Sequence, residues 1–163
     1  MTRDQGQLSD KVVVVIGGAR GIGRGIVERC AAEGARLVIA DLNQERDNVA
    51  LALGGPAVAL PLDARVAEDH ERMAAEIMAR FGRIDVLVYY AGIFPRATLL
   101  ETDESLWHAV LDTNLTGSFL PYPPAFNLSL THGVALRWYT CACPWWVRGG
   151  NKVRRREGSS HAR

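Results

Sequence analysis

The chain has 163 residues, 48% of them hydrophobic and 23% charged, with a formal net charge of +1. That length buries one sizeable core and hardly two, and the overall balance points to no polyanionic partner. No run of roughly eighteen apolar residues is present to span a membrane, and the polar N-terminus lacks an apolar signal core. The expectation is a cytoplasmic protein with no membrane contact. Cys30, Cys141 and Cys143 make no disulfide framework, and Cys141-x-Cys143 lacks the second pair that a metal site needs, so no metal is expected.

The first predicted element is a strand over Lys11–Ile16, whose β-branched run meets Gly17-Gly-Ala-Arg-Gly-Ile-Gly23. A helix follows at once over Gly21–Glu33, with Ile22, Ile26, Val27 and Cys30 on one face and Gly34 ending it. Strand, glycine-rich turn and helix N-terminus in immediate succession are the pattern of a phosphate cradle. Gly17 permits the sharp turn off the strand. Gly21 and Gly23 leave no Cβ where a pyrophosphate approaches backbone N–H groups and the positive end of the helix dipole. A second strand is expected over Arg36–Ala40, and Asn43 caps a helix running to about Leu53. A third strand over Ala57–Leu62 precedes a helix over Ala67–Phe81, closed by Gly82. The fourth strand is Ile84–Tyr89, and Asp103 caps a last helix through about Leu120. Apolar strands alternating with helices predict an α/β fold, a Rossmann-type doubly wound parallel sheet covered on both faces.

Asp41 stands directly after the second strand, 18 residues beyond Gly23. A carboxylate at that distance suits ribose hydroxyls and repels a 2′-phosphate, which favours NAD over NADP. Arg20 works the other way, because a cation in the glycine loop attracts a 2′-phosphate. The position of Asp41 beside the ribose lets it dominate. The alternative reading of Asp41 is a loop residue capping the helix from Asn43.

The Gly-x-x-x-Gly-x-Gly spacing resembles the loop of the short-chain dehydrogenases/reductases, with Ile16 where that family usually has Thr. Four further landmarks resemble the family in order. They are Leu62-Asp63-Ala64, the Phe81–Val88 approach, Tyr89-Tyr-Ala-Gly92 in place of Asn-Asn-Ala-Gly, and Trp107 with Asp112-Thr-Asn114-Leu-Thr-Gly-Ser-Phe119. The resemblance covers about residues 8–120. It implies NAD(P)-linked interconversion of small-molecule alcohols and carbonyls, with the dinucleotide against Gly17, Arg20, Gly21, Ile22, Gly23, Asp41, Leu42, Asp63, Ala64, Tyr90, Ala91 and Gly92. In it Asp63 accepts from the adenine amino group, and Asn114 is the one family catalytic residue present, ordering a water. Two tyrosines in place of the asparagines imply that a ring intrudes on the nucleotide site.

A break in composition sets off the rest of the chain. Residues 1–120 carry 12 Lys and Arg against 17 Asp and Glu, a net of −5, whereas residues 121–163 carry 7 against one, a net of +6. The same stretch holds three of four tryptophans and four of seven prolines. No tyrosine has Lys four places later, so the family's Tyr-x-x-x-Lys pair, and with it its catalytic Ser, has no counterpart; Ser118 and Ser129 read as structural. The expectation is that family sequence ends at about Phe119–Leu120 and that an aberrant or frameshifted tail, irregular or disordered, supplies the rest. The sheet is then truncated after four or five strands, the chain is catalytically incomplete and homo-oligomers are doubtful. The alternatives are a non-catalytic nucleotide-binding module and a nucleic-acid-binding protein using Arg148, Lys152, Arg154, Arg155 and Arg156 beside Trp145 and Trp146. A methyltransferase fits less well, because the glycine spacing and the Asn114 helix speak against it.

Overall fold

Five β-branched residues in succession lose little side-chain freedom in an extended backbone and have no polar face to turn to water. In the computed structural model, which describes residues 6–55, 57–125 and 137–140, that run is β1 (Val12–Ile16), buried along its whole length. It pairs in parallel with β2 (Arg36–Asp41) on one side and β4 (Val86–Tyr89) on the other, so that Val14 stands opposite Val38 and Leu87. Outside them lie β3 (Val58–Pro61) beside β2 and β5 (Arg137–Thr140) beside β4, all parallel, in the order β3-β2-β1-β4-β5.

Alternation along β1 builds two cores. Val13 and Val15 pack with Leu37 and Ile39, Val27 of α1 (Gly21–Ala32) and Val49 of α2 (Glu45–Leu53). Val12, Val14 and Ile16 face the other way, onto Leu60, Leu87, Tyr89 and Met73 and Ile77 of α3 (Ala67–Phe81). The chain therefore winds outward from β1 along one face, then returns to β4 along the other. Between β1 and β4 the connections leave in opposite senses, which opens a crevice at the strands' carboxyl ends. The predicted strands and helices are present in order, and each falls within two residues of its expected ends up to Tyr89. The N-cap of α2 is Gln44 and not Asn43, which stands one residue earlier, its Oδ1 accepting from Glu45 N–H at 2.9 Å. At the opposite end of the sheet the buried Asp85 carboxylate accepts from Val12 N–H at 2.9 Å and pairs with Arg83, tying the start of β1 to β4.

The helix expected from Asp103 to Leu120 is not regular. Asp103 caps it, accepting from Leu106 N–H at 2.7 Å, and α4 (Glu104–Leu111) begins as foreseen. The backbone then widens into a π turn over Asp112–Thr116 before α5 (Gly117–Phe119). Gly117 N–H reaches back to the Asp112 carbonyl instead of Thr113. Bonds at the turn come from within the helix, where Thr113 Oγ1 donates to the Ala109 carbonyl at 2.8 Å, and from Tyr89 of β4 and Ile93 beyond it.

Packing also passes the boundary expected at residue 120. Ala125 is 2% exposed and belongs to the core that holds Tyr89. β5 lies within the stretch read from composition as irregular and covers the edge of β4. The basic run, Trp145, Trp146 and Ser129 lie outside the described residues. No described helix is long and apolar enough to cross a membrane.

His70 is fully buried in α3, with Nε2 3.0 Å from the Ala64 carbonyl oxygen and Nδ1 unpartnered among the described residues. Burial pushes its pKa below the ordinary value of 6.5, so the folded chain keeps it neutral. Above about pH 6.5 neither folded nor unfolded chain protonates it, and its contribution is constant. Below that, the unfolded chain takes up the proton first, and stability falls by up to about 1.4 kcal/mol per pH unit. Chemical denaturation at pH 7.5 and 5.5 should show this loss, and His70→Gln should flatten it. The lowered carboxyl groups of Asp63 and Asp69 act only at more acid pH.

Candidate functional site

The crevice is a cleft of about 800 Å³ at the carboxyl ends of β1, β2, β3 and β4. Its base is the N-terminus of α1. Arg20 precedes the helix in extended conformation and makes no side-chain cap, no side chain among the described residues accepts from the first-turn N–H groups, and the first turn holds no acid. By contrast α2 and α3 carry acids in their first turns, and Asp103 caps α4. Orphan N–H groups at an uncapped, acid-free helix start form an anion site. Gly17 has a φ of +88°, which only glycine adopts freely, and a Cβ there would overlap the backbone of Ala91. The turns after β1 and β4 therefore touch. Gly21 has open space where a Cβ would stand.

Asp41 leaves β2 with its carboxylate turned onto the glycine loop. Oδ2 accepts from Ala19 N–H and Oδ1 from Asn43 N–H, each at 2.9 Å. It is thus both a cap for the turn after β2 and a brace for the glycine loop. A carboxylate has about four acceptor positions, so room remains for a ligand hydroxyl. Ile22 and Leu42, each 66% exposed, add apolar side chains to the cleft lining. Asp63 lies at the far wall, gripped by Arg65, whose side chain holds its carboxyl below the usual range.

The two tyrosines part company. Tyr90 lines the cleft. Tyr89 turns into the core instead and is fully buried, and its hydroxyl donates to the Thr113 carbonyl in the π turn. This is the carbonyl from which Gly117 N–H has been diverted. Burial raises the Tyr89 phenol well above its ordinary 10, so it stays a neutral donor. Asn114 sits in the same turn. Its Oδ1 accepts from Ile93 N–H at 2.8 Å and its Nδ2 donates to the Ile93 carbonyl at 2.9 Å. The side-chain amide orders the loop after β4 and does not line the cleft. Ser118 is buried and bonds the Leu115 carbonyl, a structural role.

Of the expected binding residues, Gly17, Arg20, Gly21, Ile22, Asp41, Leu42, Asp63, Ala64, Tyr90, Ala91 and Gly92 share one wall or another of the cleft. Gly23 does not. It is buried behind the loop, where a Cβ would overlap the Gly17 carbonyl, so it serves the close approach of helix to turn. Sequence reasoning missed Ile16, Asn43, Leu62, Arg65, Ile93, Phe94 and Thr113. Most of these adjoin residues that were named. Arg65 carried a signal, a cation two places after a candidate adenine acceptor.

Comparison with known proteins agrees with this geometry. The short chain dehydrogenase family matches residues 11–127. The chain is 36% identical over 120 residues to an L-rhamnose 1-dehydrogenase (NAD(P)(+)) of Azotobacter vinelandii, covering 69% of this chain and 47% of that one. It is 38% identical over 125 residues to a galactitol 2-dehydrogenase of Agrobacterium fabrum, covering 76% and 49%. A glucose/ribitol short-chain dehydrogenase/reductase structure from Brucella melitensis superposes with a TM-score of 0.73 at 35% identity, over 76% of this chain and 52% of that one. The chain spans about half the length of the relatives it matches. The family match over residues 11–127, on a parallel sheet in the order β3-β2-β1-β4-β5, makes this chain a member of the short-chain dehydrogenase family.

Proposed function

We propose that the cleft binds NAD, with the pyrophosphate on the start of α1, the adenosine ribose beside Asp41 and the adenine against Asp63 and Ala64. The uncapped, acid-free N-terminus of α1 carries this reading. Asp41 repels a 2′-phosphate, whereas Arg20 attracts one. Asp41 prevails because its carboxylate is fixed by two backbone N–H groups, while no hydrogen bond holds the Arg20 side chain among the described residues.

When bound, the nicotinamide ring supplies a hydride acceptor or donor. Around it this chain's residues bind and orient. Ile93, clasped by Asn114, fixes the loop after β4, and Ile22, Leu42 and Ile16 give the cleft apolar lining. Names of the relatives favour sugars and polyols as the alcohol or carbonyl substrate. The residues that move a proton in this family have no counterpart in the sequence, since neither Lys11 nor Lys152 follows a tyrosine by four places. General acid–base help is worth about 10²–10⁴-fold. We therefore read the chain as a cytoplasmic nucleotide-binding protein that turns over no alcohol unaided.

Titration with NADH followed by nicotinamide fluorescence tests this. Saturable binding is expected, with no protein-dependent NADH formation from galactitol or other secondary alcohols. Asp41→Ala should weaken NAD binding by roughly 1–3 kcal/mol and erase the preference over NADP. A variant that keeps both affinities and their ratio assigns Asp41 to the loop brace alone. Turnover abolished by Asn114→Ala would overturn the claim of inactivity.

A further inference from the structure

The Asp63–Arg65 pair gives the far wall of the cleft a chemistry that a lone carboxylate lacks. Oδ1 of Asp63 accepts from both the backbone N–H and Nε of Arg65 at 3.0 Å, and Oδ2 accepts from Nη2 at 2.6 Å. A carboxylate has about four acceptor positions, so one remains, on Oδ2. The guanidinium has five N–H groups, and two are used on the Asp63 side chain. The Arg65 side chain is 49% exposed and lines the cleft beside Ala64. The Asp112 carboxylate in the π turn adds a second attraction on the guanidinium. An acceptor and several donors thus stand side by side, held by a two-point fork and a backbone bond.

Adenine offers this wall an amino donor and the N1 acceptor. A 6-oxopurine offers the reverse, an O6 acceptor and an N1–H donor. A bare carboxylate takes the first and repels O6 of the second. The paired wall satisfies both, because O6 meets a free N–H of Arg65 while N1–H meets the open position on Oδ2. We infer that Arg65 is a specificity-determining residue, making the purine end of the cleft accept a 6-oxopurine dinucleotide alongside the adenine one. The inference rests on the proposed nucleotide site and extends it to base choice.

The test uses NADH and reduced nicotinamide hypoxanthine dinucleotide as probes, titrated by nicotinamide fluorescence into the full chain and into Arg65→Ala and Arg65→Gln. In the parent the two dissociation constants should lie within about fivefold of each other. Arg65→Ala should widen the ratio at least about tenfold, the scale of one lost charged hydrogen bond, because hypoxanthine binding weakens more than NADH binding does. Arg65→Gln, which keeps a donor, should fall between them. A parent that already rejects the hypoxanthine analogue by more than about tenfold, or a ratio that Arg65→Ala leaves unmoved, overturns the inference while leaving the nucleotide site intact. A cooperatively folded parent that binds neither dinucleotide overturns the site itself.

Discussion

Gly23→Ala should abolish nucleotide titration and lower the free energy of unfolding by about 3 kcal/mol. The added Cβ overlaps the Gly17 carbonyl oxygen, which is backbone and cannot rotate away. Either α1 withdraws from the turn or Gly17 moves, and Gly17 already lies against the backbone of Ala91. Both responses displace the N–H groups proposed to hold phosphate. Gly25, two residues along the same helix, is the control. Nothing lies within contact of a Cβ there, so Gly25→Ala should stabilise by roughly 0.5–1 kcal/mol through helix propensity. Opposite signs in denaturant melts of two Gly→Ala variants in one helix would show that packing against the turn decides the effect. Equal melts would refute the close approach.

Tyr89 carries the second large effect. Tyr89→Ala removes a fully buried ring and should cost about 3–5 kcal/mol. Tyr89→Phe is more telling. It keeps the ring and strands the Thr113 carbonyl, which should cost about 1–3 kcal/mol. Because burial keeps the phenol protonated, the loss should not vary between neutral and mildly alkaline pH. A Phe variant as stable as the parent in guanidinium melts would assign the π turn to other causes.

These two residues also mark where sequence was legible and where it was not. The strands, the glycine turn and Asp41 could be placed in advance because their signals are local: β-branching, φ-permissive glycines and a carboxylate at a strand end. The fold class followed from their alternation. Gly23 was assigned to the pyrophosphate because spacing says that a Cβ must be absent without saying what it would strike. Tyr89 was indistinguishable from Tyr90, since neighbours on a strand point to opposite faces and only the tertiary fold decides which face is the cleft. The π turn was hard to foresee because two of its supports, Tyr89 and Ile93, are distant in sequence, and the third, the Thr113 hydroxyl on the Ala109 carbonyl, is common in ordinary helices. β5 was hidden for a different reason. Arg137-Trp-Tyr-Thr140 has the aromatic and β-branched make-up of a strand, but a four-residue signal is masked by the charge and tryptophan content of the stretch around it. Arg65 was legible only as a cation near Asp63, because the fork that joins them depends on side-chain conformation.

The clasp between Asn114 and Ile93 carries one more meaning. A side-chain amide that gives one hydrogen bond and takes one from the same residue imitates a neighbouring strand, so the loop after β4 gains one rung of sheet from a helix. Aspartate has the length but only acceptors, leucine has the shape but neither function, and glutamine carries the amide one methylene further out. Position 114 is therefore restricted by architecture before any chemistry is asked of it. Substitution there costs the loop after β4 its rung whatever chemistry the cleft performs, so the presence of this asparagine is explained by shape alone.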